Sequence, residues 1–466
     1  MLTLFSRLGA AADRLVRRYM PDPFVLVLLL TLVALGLALF TMQPLPGDGV
    51  GSLSSKASGL LQVWIAGFGN ELILKFALQI ILIVVTGEAI AASPPAKRLL
   101  AKLTELPKTP AQALLVVTAF AVVTGWFHWG FGLVASALLA REVGRSCAAR
   151  GISVHYPLLG TGAYTSMLLW HAGLTASAPL LMNTEKNFVS DVLGLSGAAA
   201  KVPLSETIFS GYNLIACSAL AILVPFVIVA MHPKEGRAPV TDFLQQDKDV
   251  DNALEARAKT PAEWLDQTRL LSFGVGALGL LFLRRYIRDH GVELNHNFVN
   301  VTFLMLGMVL HPSPVAYAKA VSQSVRGVGG IVLQFPFYGG ILEVMKATGL
   351  SETLSHVFIA ASNRTTLPLF AYVASVITKS FVPSGAGEWA VEGPPMLKAA
   401  QVLHVPFGKV TMAVAYGNMV GNMYQPFWSL PLLGLMGLRA KDIMGYALVL
   451  FLLCFPLLGL ALLLSP

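Results

Sequence analysis

The chain has 466 residues, of which 55% are hydrophobic and only 12% are charged. Soluble globular proteins carry about 25% charged residues, so the composition excludes a chain of soluble domains. The formal net charge of +8 would suggest nucleic acid as the partner of a soluble protein, but in a membrane protein it reflects which loops hold Lys and Arg. The cysteines lack paired spacing, which argues against disulfides and thiolate metal sites; they are Cys147, Cys217 and Cys454.

Nine apolar runs predict membrane-spanning helices, because a bilayer core of about 30 Å needs roughly 20 apolar residues. They cover residues 23–42, 72–91, 157–182, 207–231, 268–285, 298–311, 328–347, 407–433 and 442–464. Two further apolar segments, 111–140 and 365–403, are interrupted by glycine-rich stretches and predict re-entrant hairpins. The first run follows basic residues, as a signal core does, but at about 20 residues it is too long for one.

These elements divide the chain into five predicted parts. They are a cytoplasmic N-terminal segment (1–22), a first transmembrane repeat (23–231), a cytoplasmic linker (232–267), a connecting helix with an outer loop (268–297) and a second repeat (298–466). With both hairpins entering and leaving on one side, most Lys and Arg residues fall on the face that holds the N-terminus, which the positive-inside rule makes cytoplasmic. The exception is a basic cluster at the predicted outer end of the connecting helix, formed by Arg284, Arg285 and Arg288.

An internal repeat appears when the chain is compared with itself at an offset of 252 positions. The matched pairs are Ala163-Tyr164 with Ala415-Tyr416, Met167 with Met419, Ser177 with Ser429 and Pro179-Leu180-Leu181 with Pro431-Leu432-Leu433. The connecting helix inverts the second half. The sequence therefore predicts an all-α polytopic protein with two inverted repeats, re-entrant hairpins and broken transmembrane helices, an architecture typical of secondary transporters. The alternative is that the glycines only allow close helix packing.

The predicted hairpin tips carry groups that suit an anion. A helix that starts at a tip has unpaired backbone N–H groups and the positive end of its dipole, which together favour a carboxylate. Gly130 and Gly132 at the first tip, and Gly385 and Gly387 at the second, let the backbone approach a ligand closely. Ser384 adds a hydroxyl group at the second tip.

Two of the nine spans, 157–182 and 407–433, are predicted to be broken, at Trp170-His171-Ala172-Gly173 and at residues 417–426. Amides and aromatic rings lie in these broken spans and at the tips. Asn418, Asn422 and Gln425 place amides at a depth where an unsatisfied one costs several kcal/mol, so they either contact substrate or tie helices together. Trp129, Phe131 and Phe427 could form an apolar wall for a small amphiphilic acid, or pack in the core.

Ionisable residues at membrane depth are candidates for function. His128 and His171 could take up a proton near neutral pH, or remain neutral and bind a backbone group. Lys379 and Glu388 flank the second tip, where Lys379 could pair with a substrate carboxylate or the two could neutralise each other.

The sequence gives no support to an enzyme or to a metal site. It lacks a Walker A pattern, a His-Glu-x-x-His helix and a Gly-x-Ser-x-Gly elbow. A weak cluster of possible metal ligands in the predicted outer loop comprises Asp289, His290, Glu293 and His296.

Several motifs together resemble bacterial short-chain fatty acid transporters. They are Arg17-Arg18-Tyr19-Met20-Pro21-Asp22-Pro23, His128-Trp129-Gly130-Phe131-Gly132-Leu133 with Ala140-Arg141-Glu142-Val143, Gln334-Phe335-Pro336-Phe337-Tyr338, Val382-Pro383-Ser384-Gly385 and Tyr424-Gln425-Pro426-Phe427-Trp428. The resemblance implies uptake of small monocarboxylates such as acetoacetate or butyrate across the bacterial inner membrane. It also implies an elevator motion of the hairpin-bearing domain, as in the broader ion transporter superfamily. The second tip departs from the family pattern at three positions. The family has Asn where this chain has Lys379, Gly where it has Ala386 and His where it has Glu388.

The sequence thus predicts a secondary transporter of short-chain monocarboxylates with H⁺ symport, or else a Na⁺-coupled carrier of another small acid or a passive anion channel. The expected partners are the substrate and the lipid bilayer, without nucleic acid or cofactor, and a homo-oligomer remains open. The predicted substrate-binding residues are Trp129, Gly130, Phe131, Gly132, Lys379, Ser384, Gly385, Gly387, Asn418, Asn422, Gln425 and Phe427. The candidates for ion coupling are His128, His171 and Glu388.

Overall fold

The computed structural model describes residues 23–41, 53–233, 237–243, 260–290, 296–379, 382 and 384–465. The predicted N-terminal segment, residues 1–22, and much of the predicted linker lie outside the described residues, as do Glu293 and Pro383. Every regular element in the described part is a helix. The all-α prediction is therefore confirmed.

Twenty-one α-helices occur in the described residues. The first ten are α1 (Pro23–Thr41), α2 (Leu53–Ala66), α3 (Glu71–Ala91), α4 (Pro94–Thr104), α5 (Pro110–Phe127), α6 (Trp129–Ala149), α7 (Tyr156–Tyr164), α8 (Ser177–Met182), α9 (Phe188–Leu193) and α10 (Gly211–Ala230). The others are α11 (Pro261–Gln267), α12 (Arg269–His290), α13 (His296–Leu310), α14 (Pro314–Ser324), α15 (Gly329–Ala347), α16 (Leu350–Ala361), α17 (Leu367–Thr378), α18 (Gly385–Val402), α19 (Phe407–Gly421), α20 (Ser429–Met436) and α21 (Ala440–Leu464).

Several helices begin with the same local signal. A Ser or Thr side chain accepts a hydrogen bond from the first turn, and proline occupies one of the first helical positions, where no backbone donor is needed. The capping residues are Ser93 for α4, Thr109 for α5, Thr260 for α11 and Ser313 for α14.

Four of the long apolar stretches agree with predicted spans, whereas α5 belongs to the segment predicted as a re-entrant hairpin. Among the described residues, five stretches are long and apolar enough to cross a membrane, namely α3, α5, Gly197–Ala230 (which ends with α10), α12 and α21. Helices α14 and α15 together form a sixth candidate, bent by 58°. This composition is that of a multi-pass membrane protein.

The two predicted broken spans are broken in the structure. Residues 157–182 form α7 and α8, separated by two short 3₁₀ turns, and residues 407–433 form α19 and α20. Ser177 begins α8 and Ser429 begins α20, so the offset of 252 positions matches the point at which each helix resumes. This correspondence supports a repeat, while the inverted orientation of its two halves stays a prediction.

Helices α2, α4, α9, α14 and α16 were not predicted, because they are short or lack a long apolar run. Helix α12 also extends beyond the predicted end at residue 285, as far as His290. The basic cluster therefore lies on a helix, where Arg285 pairs with Asp289 at 3.5 Å.

The broken spans form the centre of the protein. All residues of 154–173 and of 410–423 are buried. Helix α12, in contrast, exposes Leu270, Leu278 and Phe282 to more than half of their area. An apolar face of this kind suits contact with lipid, which places α12 at the periphery and the breaks inside.

Candidate functional site

The first predicted tip is a sharp reversal at His128, between α5 and α6. The backbone N–H of His128 donates to Thr124 at 2.8 Å, which closes α5, and its Nδ1 atom accepts from the N–H of Phe131 at 3.1 Å, which caps α6. Gly132 lies against the backbone of Gly125, since a Cβ atom there would be 2.7 Å from the Gly125 nitrogen. His128 is therefore a helix cap at the point where two helices pack together.

The first tip is hydrogen-bonded to the break of the first broken span. The N–H of Leu174 donates to the carbonyl oxygen of Trp126 at 2.8 Å, and the N–H of Trp129 donates to the hydroxyl oxygen of Thr175 at 3.2 Å. Asn213 on α10 donates to the carbonyl oxygen of Ala172 at 3.0 Å. These bonds satisfy backbone groups that the interrupted helix leaves unpaired.

The two breaks are joined to each other. The hydroxyl group of Tyr164 donates to the carbonyl oxygen of Asn422 at 3.0 Å, and the Asn422 amide donates to the carbonyl oxygen of Met167 at 3.0 Å. The Gln425 side chain accepts from the N–H of Phe427 at 3.1 Å. Asn422 thus ties the two breaks together, whereas the bond of the Gln425 side chain is local to the second break.

The second predicted tip packs directly on the first break. Ser384 caps α18 by accepting from the N–H of Gly387 at 3.4 Å. A Cβ atom at Gly385 would lie 2.6 Å from Cε1 of His171 and 2.7 Å from Cη2 of Trp170. Glycine at residue 385 therefore allows the tip to contact the Trp170-His171 pair, which leaves no room for a side chain.

The other predicted tip glycines also lie in close packing. A Cβ atom at Gly387 would be 2.5 Å from the ring of Tyr338, and one at Gly130 would be 3.0 Å from the carbonyl oxygen of Ile83. In each tip, the helix that follows the reversal, α6 or α18, is therefore packed against a neighbouring helix in the observed arrangement.

A cluster of polar and charged side chains lies beside the second tip. Glu388 is fully buried, accepts from the Asn418 amide at 2.5 Å and shares a hydrogen bond with the hydroxyl group of Ser375. Lys379, also fully buried, donates to the amide oxygen of Asn418 at 3.3 Å. Asn418 thus links the two charged residues, and His171 interacts electrostatically with Lys379.

Glu392 belongs to the same cluster and was not singled out from the sequence. It lies one turn after Glu388 on α18, is 8% exposed, and accepts from the hydroxyl group of Thr378. The available signal was its spacing of four residues from Glu388, which places both carboxyl groups on one helix face.

Several buried polar atoms around the first break make no hydrogen bond within the described residues. Among them are Nε1 of Trp129, Nε1 of Trp170, Oγ of Ser166 and Oγ of Ser177. The Nε2 atom of His171 accepts from the N–H of Ala178 at 3.2 Å, which assigns the proton of a neutral ring to Nδ1, and this ring also interacts with the Asn418 side chain. The indole N–H and hydroxyl groups together form a donor set suited to a carboxylate.

Aromatic rings surround these donors. The ring of Trp129 lies 5.4 Å from that of Trp170 and 5.1 Å from that of Trp428, which in turn contacts Phe427 at 5.1 Å. Trp129 and Phe427 therefore lie in one aromatic cluster through Trp428, and their part in a substrate wall stays a prediction. Phe131 is half-buried and contributes its backbone N–H to the His128 cap.

A polar cavity of about 870 Å³ opens between α3 and the segment around α9. Its lining includes Lys75, Lys186, Lys201 and the buried ring of His296. No group of three possible metal ligands occurs in the described residues, and Glu293 of the weak cluster suggested by the sequence lies outside them.

Comparison with known proteins identifies the family. The sequence model of the short-chain fatty acid transporter family matches residues 4–465. A relative from Escherichia coli (strain K12), provisionally named a short-chain fatty acid transporter, is 38% identical over 447 residues, which cover 96% of each chain. A relative from Haemophilus influenzae with the same provisional name is 37% identical over 448 residues, again 96% of each chain.

The chain belongs to the short-chain fatty acid transporter family. The resemblance seen in its motifs is thereby confirmed, and its class is a transporter rather than an enzyme. Two solved transporters share the fold of this family member. The YdaH transporter of Alcanivorax borkumensis is 15% identical with a TM-score of 0.56, over 96% of each chain. MtrF of Neisseria gonorrhoeae is 14% identical with a TM-score of 0.57, over 99% of this chain and 96% of its own.

Proposed function

We propose that this chain is a secondary carrier that moves short-chain monocarboxylates, such as butyrate or acetoacetate, across the bacterial inner membrane with its N-terminus in the cytoplasm. Family membership supports the substrate class. The arrangement of the two breaks and two tips supports a carrier, because non-helical backbone at membrane depth occurs where it is buried in protein or lines a cavity, and transporters form substrate sites at such broken helices.

The observation that carries the proposal is the set of buried donors at the first break. The indole N–H groups of Trp129 and Trp170 have no acceptor among the described residues. Leaving a buried donor unpaired costs about 1–3 kcal/mol, so a bound carboxylate that accepts from these groups would recover that cost. Lys379 and the start of α18 add positive charge nearby.

The surroundings of the donors favour a short apolar tail. The rings of Trp129, Trp170 and Trp428 form an aromatic cluster beside them. A dicarboxylate would need a second group of donors, whereas a monocarboxylate with a short tail needs only an apolar surface.

Close packing of the second tip on the first break favours a carrier over a channel. The tip at Gly385 directly contacts Trp170 and His171, so substrate reaches these donors only when the contact opens. We propose that the tip-bearing helices move as an elevator, without any cofactor beyond the coupling ion. H⁺ is the proposed ion and Na⁺ the alternative.

Uptake into proteoliposomes tests this function. We expect labelled butyrate and acetoacetate to accumulate under an imposed inward proton gradient and not under a sodium gradient alone. Accumulation driven by the sodium gradient instead would show that the coupling ion is Na⁺ and not H⁺. Absence of saturable uptake for either acid under both gradients would contradict the proposed substrate class.

His128 at the first tip and His171 at the first break each accept a hydrogen bond from a backbone N–H group. We therefore expect neither histidine to carry the coupled proton. His128→Asn keeps a side-chain acceptor for the N–H of Phe131 but cannot titrate, and should retain proton-stimulated uptake. His128→Ala removes the acceptor and should lower stability by about 1 kcal/mol, measured as a lower melting temperature of the purified protein. Loss of proton stimulation in His128→Asn would return His128 to the coupling mechanism.

A further inference from the structure

Two buried carboxyl groups lie one helical turn apart on α18. Glu388 is 0% exposed and Glu392 is 8% exposed. Their spacing of four residues places them on the same face of the helix, and Glu388 acts electrostatically on Glu392. Two carboxylates in such surroundings repel each other, and an ion buried without a partner is strongly destabilising.

The hydrogen bonds of Ser375 show how one carboxyl group is accommodated. The Ser375 hydroxyl contacts both Oε1 of Glu388 and, at 2.7 Å, the carbonyl oxygen of Val414. A hydroxyl group has a single proton, and a carbonyl oxygen can only accept. If the Ser375 hydroxyl donates its proton to the Val414 carbonyl oxygen, it can only accept from Glu388. The contact between Ser375 and Glu388 is then a hydrogen bond only when Oε1 of Glu388 carries a proton. The other oxygen, Oε2, accepts from Asn418.

The carboxyl group of Glu392 makes fewer hydrogen bonds than that of Glu388. Its Oε1 atom accepts from the hydroxyl group of Thr378, while Oε2 has no hydrogen-bond partner in the part of the chain that the structure describes. An ionised carboxylate offers about four acceptor positions, so this environment favours a carboxyl group that shares its charge with a neighbour or takes up a proton.

Lys379, at the end of α17, is a cation that acts on Glu388. Glu388 in turn acts on the phenol group of Tyr338, on α15. The other titratable side chains on the helices packed against α18 have partners or surroundings of their own. Asp191 and Glu343 pair with Lys346, Glu88 contacts Ser324, and Tyr416 binds Asn213. Lys409 and Tyr372 bind backbone carbonyls, Glu71 and Lys75 line the polar cavity, and His356 is exposed.

We infer that Glu388 and Glu392 together form the proton-binding site of the transporter, with Lys379 balancing the single negative charge that remains when one proton is bound. The inference rests on the proposed proton-coupled transport and names the group that carries its ion. The proton belongs to the pair, because two interacting carboxyl groups titrate as a unit.

The position of the pair explains why proton and substrate would bind together. Glu388 lies in the first turn of α18, directly behind the tip that contacts Trp170 and His171. A carboxylate that binds at those donors brings a negative charge close to Glu388, which favours protonation of the pair. By linkage, protonation raises the affinity for the anion by the same factor, and the two move together without net charge.

Glutamine variants test the inference in the full-length protein. Glu392→Gln and Glu388→Gln keep the size of the side chain but cannot release a proton. We expect both to retain exchange of labelled for unlabelled butyrate across proteoliposomes, while a proton gradient no longer stimulates uptake. Glu105→Gln, at an exposed glutamate, is the matched control and should keep the stimulation.

Infrared spectroscopy of the protein without substrate tests the same site independently of transport. We expect a protonated carboxyl band that is lost as the pH is raised, and that is weaker in both glutamine variants. If this band titrates but the wild-type protein does not exchange butyrate, the proposed substrate fails and the proton site stands. Persistence of proton-stimulated uptake, or an unchanged titrating band, in Glu392→Gln would overturn the inference even if Glu388→Gln did not fold.

Discussion

Replacement of Gly385 by alanine is expected to reduce uptake of short-chain acids about tenfold or more. The added Cβ atom would lie 2.6 Å from His171 and 2.7 Å from Trp170, and these rings are buried among other side chains and cannot move aside freely. Overpacking of this kind costs about 1–3 kcal/mol, and about 1.4 kcal/mol corresponds to a factor of ten in an equilibrium.

A matched glycine provides the control. Gly434 is also helical, in α20, and a Cβ atom there would meet nothing within 4 Å. Gly434→Ala should therefore transport normally. Initial uptake rates in proteoliposomes, normalised to the amount of folded protein, measure both variants. Equal rates for Gly385→Ala and Gly434→Ala would show that contact between the second tip and the first break is unnecessary for transport.

Removal of a single indole N–H is expected to weaken substrate binding at the first break. Trp129→Phe and Trp170→Phe each preserve an aromatic ring but lose a buried donor that has no acceptor in the described residues. A hydrogen bond to a charged group contributes about 1.5–3 kcal/mol, so we expect each variant to raise the KM for butyrate by about 10–100-fold.

The control for this prediction is Trp264→Phe, because Trp264 is exposed on α11, away from the breaks. Its KM should equal that of the wild-type protein. An unchanged KM in both Trp129→Phe and Trp170→Phe, together with normal expression, would place the substrate carboxylate elsewhere in the protein.

Much of the fold followed from the sequence, because span length and chain breaks are local properties. The apolar run at 72–91 became α3, and the glycine-rich stretch around His128 became the reversal between α5 and α6. The second break was located, since polar and glycine residues at 417–426 interrupt an apolar helix that ends at Gly421. The first was expected at 170–173, whereas α7 already ends at Tyr164.

The contacts of the site could not be predicted in the same way, because they join distant parts of the chain. The bond from Tyr164 to Asn422 and the bond from Asn418 to Glu388 depend on how whole helices pack. The role of Gly385 was expected to be an approach to ligand, whereas the structure places Trp170 and His171 against it. Glu392 was overlooked because its burial depends on the neighbours of α18.

Counterflow of labelled butyrate in proteoliposomes tests the central claim most directly. Vesicles that contain the purified protein and a high concentration of unlabelled butyrate are diluted into a trace of labelled butyrate. A carrier with a saturable site between its tips and breaks predicts transient accumulation of label above its equilibrium level, prevented by excess external acetoacetate. Label that rises only to equilibrium, without overshoot or competition, would contradict the account and indicate a passive pore or a different substrate.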